Sequence, residues 1–118
     1  MQAQTTRRLV LLPRFTTLVG AGTYYTKPVS IRPYGEAILS VWRGPDRGTS
    51  PTFNVVAQVS RDLASWANAQ TFSPSSSTES TATFDVDAEW MRLRLVVGGT
   101  DPSVTSWCVG EFVERERR

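Results

Sequence analysis

The sequence of 118 residues contains no histidine and a single cysteine, Cys108. The absence of histidine removes the commonest general base, the usual partner of a Ser or Cys nucleophile, and the commonest ligand of zinc and iron. One cysteine forms neither an intramolecular disulfide nor a multi-cysteine zinc site. Metal-dependent and nucleophilic catalysis are therefore not expected, and no cofactor is predicted.

Long hydrophobic runs and dense blocks of one charge are also missing. No apolar stretch approaches the roughly 20 residues that a membrane helix needs, and the run after Arg7 and Arg8 is interrupted at Pro13 and Arg14. We therefore predict neither a signal peptide nor a membrane partner, and we expect synthesis in a reducing cytoplasm. The net charge is only +2 and the basic residues are scattered, so nucleic acid is not expected as a partner either.

The residues that are present indicate an all-β fold. Short runs of β-branched and aromatic residues, separated by Gly, Pro, Asp and Ser, recur along the chain, and long helical periodicity is missing. Within residues 52–60, Phe53, Val55 and Ala57 share one face of a strand, which should look into a core. The spacing predicts a single antiparallel β-sandwich of about eight or nine strands. Candidate strands cover residues 8–12, 15–19, 23–31, 36–42, 52–60, 70–72, 81–86, 90–97 and 104–113.

The two ends of the chain differ from its middle. Residues 1–7 are polar and residues 114–118, "ERERR", alternate in charge, so neither segment can bury much apolar surface. We expect one domain over residues 1–118, with a mobile N-terminal arm at 1–7 and a mobile tail at 114–118. In the tail, Arg115, Arg117 and Arg118 are candidate partner contacts through charge pairing.

One short segment, "QVSRDLASWANAQ" at residues 58–70, concentrates residue types that bind sugars or phosphates. Its candidate ligand-binding residues are Arg61, Trp66 and Asn68. The same segment also suits a turn at a sheet corner, in which Asp62 caps backbone amides and Trp66 lies half-buried over the edge of the core. The corner is the favoured interpretation, and the ligand site is the alternative.

Three carboxylates alternate in the stretch "FDVDAEW". If the strand continued to Glu89, the side chains of Asp85, Asp87 and Glu89 would share one face, and could hold calcium or act as an acid and base. Asp87 and Glu89 also fit a turn, and cross-strand arginines such as Arg92 could neutralise a solvated face. We therefore predict surface carboxylates, with no metal site and no catalytic residues.

Aromatic side chains offer contact surface for partners. Tyr24 and Tyr25 point to opposite faces of a strand, so at most one is buried by a single sheet. Tyr24, Tyr25 and Tyr34 are the candidate partner contacts, because exposed aromatic residues are enriched at interfaces. Alternation also places Cys108 on the face opposite Trp107, as a small buried or edge residue rather than a nucleophile.

The second half of the chain carries motifs with a wider likeness. A strand ends in a Ser/Asp/Trp corner at residues 60–66, and the stretch "WMRLRL" at 90–95 runs through Gly99 and Thr100 into a long final strand at 104–113. In these features the sequence resembles the small β-sandwich modules of tailed-phage virion proteins. Discoidin-like and carbohydrate-binding sandwiches have a similar spacing. The resemblance implies a jelly-roll-like sandwich with a virion structural role, such as capsid decoration, head completion or tail attachment.

These observations favour a non-catalytic structural protein that docks onto a larger assembly. The expected partners are capsid or tail proteins of a phage or phage-like particle, with self-association into a homo-oligomer, and the expected location is the virion or the cytoplasm. The alternative is a carbohydrate-binding module that binds a glycan, marked by two or more coplanar exposed aromatic rings beside a polar groove. An enzyme would need a cleft that joins Asp85 or Asp87 to another carboxylate, and is not expected.

Overall fold

The computed structural model describes residues 6–115, which form seven β-strands and the turns between them. The strands are β1 (Thr6–Val19), β2 (Gly22–Tyr25), β3 (Val29–Ser30), β4 (Tyr34–Ser60), β5 (Ala67–Phe72), β6 (Thr78–Asp85) and β7 (Trp90–Glu114). Every pairing between them is antiparallel, which confirms the all-β prediction. Within the described residues there is no helix suited to crossing a membrane.

Two of the strands are much longer than the sequence predicts. β4 has 27 residues and β7 has 25, and they pair from Tyr34 opposite Glu114 to Ser60 opposite Trp90. Each was expected as two strands, because turn residues interrupt its apolar pattern. In the structure the ladder continues through those turns, with register shifts between residues 43 and 52 of β4. Both strands bend there together.

The bend folds the sheet into two layers. Layer I contains, side by side, β1, residues 103–113 of β7, residues 34–43 of β4, and β6. Layer II contains β2 with β3, then residues 90–97 of β7, residues 52–60 of β4, and β5. If β2 with β3 is counted as one strand, and β4 and β7 are each divided at the bend, the chain has eight strands. Numbered along the chain, their order is 1-8-3-6 in layer I and 2-7-4-5 in layer II. This is the strand order of a jelly roll, so the predicted fold class is confirmed.

One hydrophobic core lies between the layers. Alternate residues of the long strands face inward, and Leu39 and Val41 of layer I and Val55 and Leu93 of layer II are fully buried. Cys108 is buried in the same cluster, on the face that alternation predicted. The core therefore follows the period of two that antiparallel strands impose.

Gly48 in β4 and Gly99 in β7 permit the bend. Their φ angles are 110° and 112°, in the left-handed region that favours glycine. A Cβ atom at position 48 would lie 2.7 Å from the carbonyl oxygens of Thr100 and Asp101. Any larger residue at position 48 would force the two bent strands apart.

A largely buried ion pair links the bend to the rest of the sandwich. The side chains of Arg43 and Asp46 are 11% and 13% exposed, and Nη2 of Arg43 lies 2.7 Å from Oδ2 of Asp46. The same guanidinium donates to the carbonyl oxygens of Pro51 at 2.9 Å and Pro74 at 3.1 Å. Arg43 therefore links the near side of the bend, its far side and the loop between β5 and β6.

Residues at the inner ends of the predicted arm and tail take part in strand pairing. Thr6 and Arg7 pair with Val113 and Phe112, so they belong to β1. Glu114 pairs with the first residue of β4, so it belongs to β7. The rest of the predicted arm and the tail residues Arg117 and Arg118 lie outside the described residues.

Candidate functional site

The corner after β4 is built around Asp62. Its Oδ1 accepts hydrogen bonds from the backbone N–H groups of Ala64 and Ser65, both at 2.9 Å, and from the Ser60 hydroxyl at 3.1 Å. The N–H groups of Ser65 and Ala64, followed by the Ser60 hydroxyl, hold the pKa of Asp62 below its ordinary value, because they favour the charged form. The capping role predicted for Asp62 is confirmed. The next residue, Leu63, has a φ of 67° and its side chain is exposed rather than packed on the core.

Trp66 lies half-buried at this corner and contacts Arg92 of β7. Its indole Nε1 donates to the Leu63 carbonyl oxygen at 3.3 Å. The guanidinium carbon of Arg92 lies 4.2 Å from the indole centroid and 4.3 Å from the ring centroid of Tyr25. One guanidinium thus contacts a ring from β2 and a ring from the turn before β5. A cation–π contact at an exposed site stabilises by about 0.5–1 kcal/mol.

Polar side chains extend this cluster across the outer face of layer II. Nε of Arg92 donates to Oε1 of Gln58 at 2.9 Å, and Nε2 of Gln58 donates to Oδ1 of Asn68 at 2.9 Å. We define Tyr25, Gln58, Trp66, Asn68 and Arg92 as the Trp66 surface. It brings together Tyr25 with Trp66 and Asn68, which the sequence singled out in two separate segments. Arg92 and Gln58 join them only through cross-strand pairing.

A shallow cleft of about 440 Å³ adjoins the Trp66 surface, and Trp66 forms one wall of it. Arg61 and Asp87 line the cleft, joined by an ion pair of 3.1 Å whose side chains are 70% and 75% exposed. Arg115 also pairs with Asp87, at 3.3 Å. The predicted ligand residue Arg61 therefore lies beside Trp66, but it already has a carboxylate partner, in a surface pair of the kind worth at most about 1 kcal/mol.

The three alternating carboxylates do not converge. β6 ends at Asp85 and the chain turns, so Asp87 and Glu89 leave the face of the strand. Glu89 pairs with Arg32 on another loop. No group of three or more Cys, Asp or Glu side chains that could hold a metal ion occurs within residues 6–115. Arg92, which the sequence assigned to these carboxylates, belongs to the Trp66 surface instead, because its strand position faces Gln58.

The three candidate tyrosines occupy different environments. Tyr24 is half-buried against the core, and its hydroxyl donates to the Gly20 carbonyl oxygen at 2.7 Å. Tyr25 is exposed. Tyr34 is only 7% exposed, and its ring lies 5.6 Å from that of Phe112. The expectation of an exposed Tyr34 is wrong, because its position at the start of β4 faces the core.

A second aromatic cluster, which the sequence did not reveal, lies on the outer face of layer I. The rings of Trp42 and Trp107 stack across β4 and β7, with centroids 5.2 Å apart and planes at 26°. Phe15 packs edge-on against Trp107 at 5.3 Å and is itself 69% exposed. The guanidinium carbon of Arg14 lies 5.2 Å from the Trp107 ring. We define these four residues as the Trp107 surface.

The backbone of β1 explains why Phe15 reaches this cluster. The pairing of β1 with β7 slips between Leu12 and Thr16, and Phe15 has a φ of 62°. Such a bulge changes the direction in which a side chain points. The only sequence signal was Pro13, which interrupts the strand without showing where the ring after it would lie.

Comparison with known proteins finds similarity in structure alone. No family model matches the chain, and no curated protein matches it. A subunit of Bacillus endospore appendages, described as disulfide-linked pili, is 11% identical with a TM-score of 0.58, over 98% of this chain and 93% of that one. The SPBc2 prophage-derived protein YomS is 10% identical with a TM-score of 0.58, over 97% of both chains.

A viral protein shows the same likeness over part of its length. VP2 of infectious bursal disease virus, as the D431N mutant in T=1 particles, is 8% identical with a TM-score of 0.62. The match covers 94% of this chain and 32% of VP2. The likeness shows a shared fold. It agrees with the resemblance to virion β-sandwich modules at that level, and no tailed-phage family is matched.

Proposed function

We propose that this protein is a non-catalytic structural subunit that assembles with other proteins into a larger particle or fibre. The observation that carries the proposal is the presence of an aromatic and arginine cluster on the outer face of each layer. Aromatic residues and arginine are the types enriched at protein interfaces. The fold shared over nearly full length with a pilus subunit supports the same role.

The chemistry of the reactive side chains supports a non-catalytic role. Burial raises the pKa of the Cys108 thiol to about 12, so a thiolate nucleophile is not available at neutral pH. The carboxylates that line the cleft, Asp62 and Asp87, are engaged by backbone N–H groups and by arginines respectively. The hydrogen bonds at Asp62 hold its pKa below the ordinary value, whereas a general acid needs a raised pKa.

The finer form of the proposal is a component of a phage or phage-like virion, in capsid decoration, head completion or tail attachment. The contacts proposed for its partners are Tyr25, Tyr24 at its exposed edge, and Arg115, with Arg117 and Arg118 beyond the described residues. Tyr34 is not included, because its ring is buried. The fold shared with VP2 and the prophage protein supports this form.

The experiment that tests the proposal is sedimentation of the protein from its native source. We expect it to co-sediment with a high-mass particle, and electron microscopy with a labelled antibody should place it on that particle. Trp107→Ser and Tyr25→Ser variants should reduce incorporation, while Leu63→Ser, at an exposed apolar position outside both surfaces, should not. Recovery of the protein only as a free monomer would contradict the structural role.

A glycan-binding module is the second candidate, and the cleft favours it. Trp66 lines the cleft, whereas Arg92, which contacts the same indole, does not. Part of the indole is therefore available to a ligand in the cleft. An aromatic wall beside Arg61 and Asp87 is suited to a sugar ring with hydroxyl groups. Titration of a glycan panel should then show binding that Trp66→Ala abolishes and Trp107→Ala retains. No binding by the wild type would exclude this candidate.

A further inference from the structure

Layer I ends in two edge strands of opposite charge. β1 carries Arg7, Arg8 and Arg14 and no acidic residue, whereas β6 carries Glu79 and Asp85 and no basic residue. All five side chains belong to exposed residues. None of the five forms an ion pair with any residue in the range 6–115, and Arg14 contacts the ring of Trp107 instead. The two edges complement each other, yet they lie on opposite sides of the same layer.

Both edges leave backbone groups unpaired within the described part of the chain. β1 pairs only with β7, and β6 pairs only with β4. An edge strand presents free N–H and C=O groups on its outer side, which can pair with a strand of another chain. β6 has eight residues and no proline. Residues 6–12 of β1 precede Pro13 and offer a stretch only slightly shorter than β6.

The directions of the strands decide how two copies can meet. Layer I has four strands in alternating directions, so β1 and β6 run antiparallel to each other. A second copy that is translated sideways, without rotation, places its β1 beside the first copy's β6 in antiparallel orientation. The ladder then continues without interruption. A two-fold arrangement would instead bring like-charged edges together, which is unfavourable.

The register aligns the opposite charges. Across β7 and β4, Thr6 lies in the same row as Asp85. Arg8 shares the outer face with both, because side chains alternate along a strand, so Arg8 of a translated copy comes diagonally beside Asp85. Arg14 lies against the tryptophan of β7 whose row ends at Glu79. A sideways translation with no shift along the strands therefore matches both ends of the two edges.

We propose that β1 of one molecule pairs with β6 of a second copy of this chain, so that layer I continues from copy to copy in an open row. The inference rests on the proposed structural role and identifies one partner and the contact. Layer II does not provide an equivalent contact, because its edge strand β5 carries no charged residue.

Charge reversal at each edge tests the proposal. The β6 variant is Glu79→Lys with Asp85→Lys, the β1 variant is Arg7→Glu with Arg8→Glu, and the control is Lys27→Glu, an exposed charge outside layer I. Light scattering after size exclusion, over a range of concentrations at low salt, gives the mass of each protein. Melting temperatures and circular dichroism establish that each variant is folded.

The expected result is a wild-type mass that rises with concentration and falls in 1 M salt, where the Debye length is about 3 Å. Each edge variant should raise the apparent dissociation constant by at least about tenfold, because like charges then face each other. The control should match the wild type. An equimolar mixture of the two edge variants should recover association, because each reversed edge then meets an edge of opposite charge.

Three results would overturn the edge contact: a wild type that stays monomeric, edge variants that associate as the wild type does, or a mixture that fails to recover. Co-sedimentation with the native particle distinguishes failure of the edge contact from failure of the proposed structural role. If the protein binds the particle without self-association, the edge contact is wrong and the structural role stands. If it does neither, both proposals are wrong.

Discussion

Replacement of Arg43 by methionine is the sharpest test of what holds the bend. The change keeps the aliphatic volume but leaves Asp46, 13% exposed, without its cation. It also removes the donor to the carbonyl oxygens of Pro51 and Pro74. Removal of one partner of a buried ion pair costs about 3–5 kcal/mol. Because an ordinary domain is stable by only about 5–15 kcal/mol, we expect Arg43→Met to lose a large share of its stability.

Urea unfolding followed by circular dichroism measures this loss. The exposed pair provides the matched control, because Arg61 and Asp87 are 70% and 75% exposed, and Arg61→Met should cost less than about 1 kcal/mol. Adding Asp46→Leu to Arg43→Met should recover part of the stability, since no buried charge then remains unpaired. Full recovery is not expected, because two carbonyl oxygens still lack their donor.

The reasoning would be refuted if Arg43→Met cost no more than the Arg61→Met control. The bend would then be maintained by backbone pairing and glycine alone. An unchanged dependence on urea concentration, with a shifted midpoint, would show that the variant unfolds as the wild type does.

The remaining predictions concern single residues. Trp66→Ala should cost about 1–2 kcal/mol in urea unfolding, less than a core tryptophan, because the indole is half-exposed and contacts Arg92; a loss above about 3 kcal/mol would show a core role. Cys108 should resist a thiol reagent at pH 8 in the native protein and react after unfolding, because its pKa is raised to about 12; rapid native labelling would contradict the burial. The pKa of Asp62 is lower in the folded state, so its contribution to stability is present above its ordinary pKa of 3.8 and is lost as the pH falls. The stability difference between wild type and Asp62→Asn should therefore shrink in acid, and a constant difference from pH 7 to pH 2 would refute it. Gly48→Ala should lower the melting temperature, because its Cβ would meet two carbonyl oxygens at 2.7 Å.

The candidate surfaces were only partly accessible to sequence reasoning. Trp66 and Asn68 stood out because they are close along the chain, and Tyr25 because alternation placed it opposite Tyr24. Arg92 did not stand out, because its contacts with Gln58 and Trp66 come from strands that are distant in sequence. A one-residue slip in register would have placed it on the other face.

What the sequence by itself determined is local. The period of two in Phe53, Val55 and Ala57 determined a strand and its buried face. The same alternation placed Cys108 on the face opposite Trp107, as a buried or edge residue, and the structure shows that this face is the core. Asp62 also followed from local chemistry, because a carboxylate two or three residues before free N–H groups caps them wherever the turn lies.

The tertiary structure decided which distant residues meet. Whether β4 is one strand or two depended on Gly48, on Arg43 and on β7, which follows the same bend. The stacking of Trp42 on Trp107 and the opposite charges at the two edges of layer I arise from the order and register of the strands. Register is set by pairing between segments far apart along the chain, and composition and local alternation carry no information about that pairing.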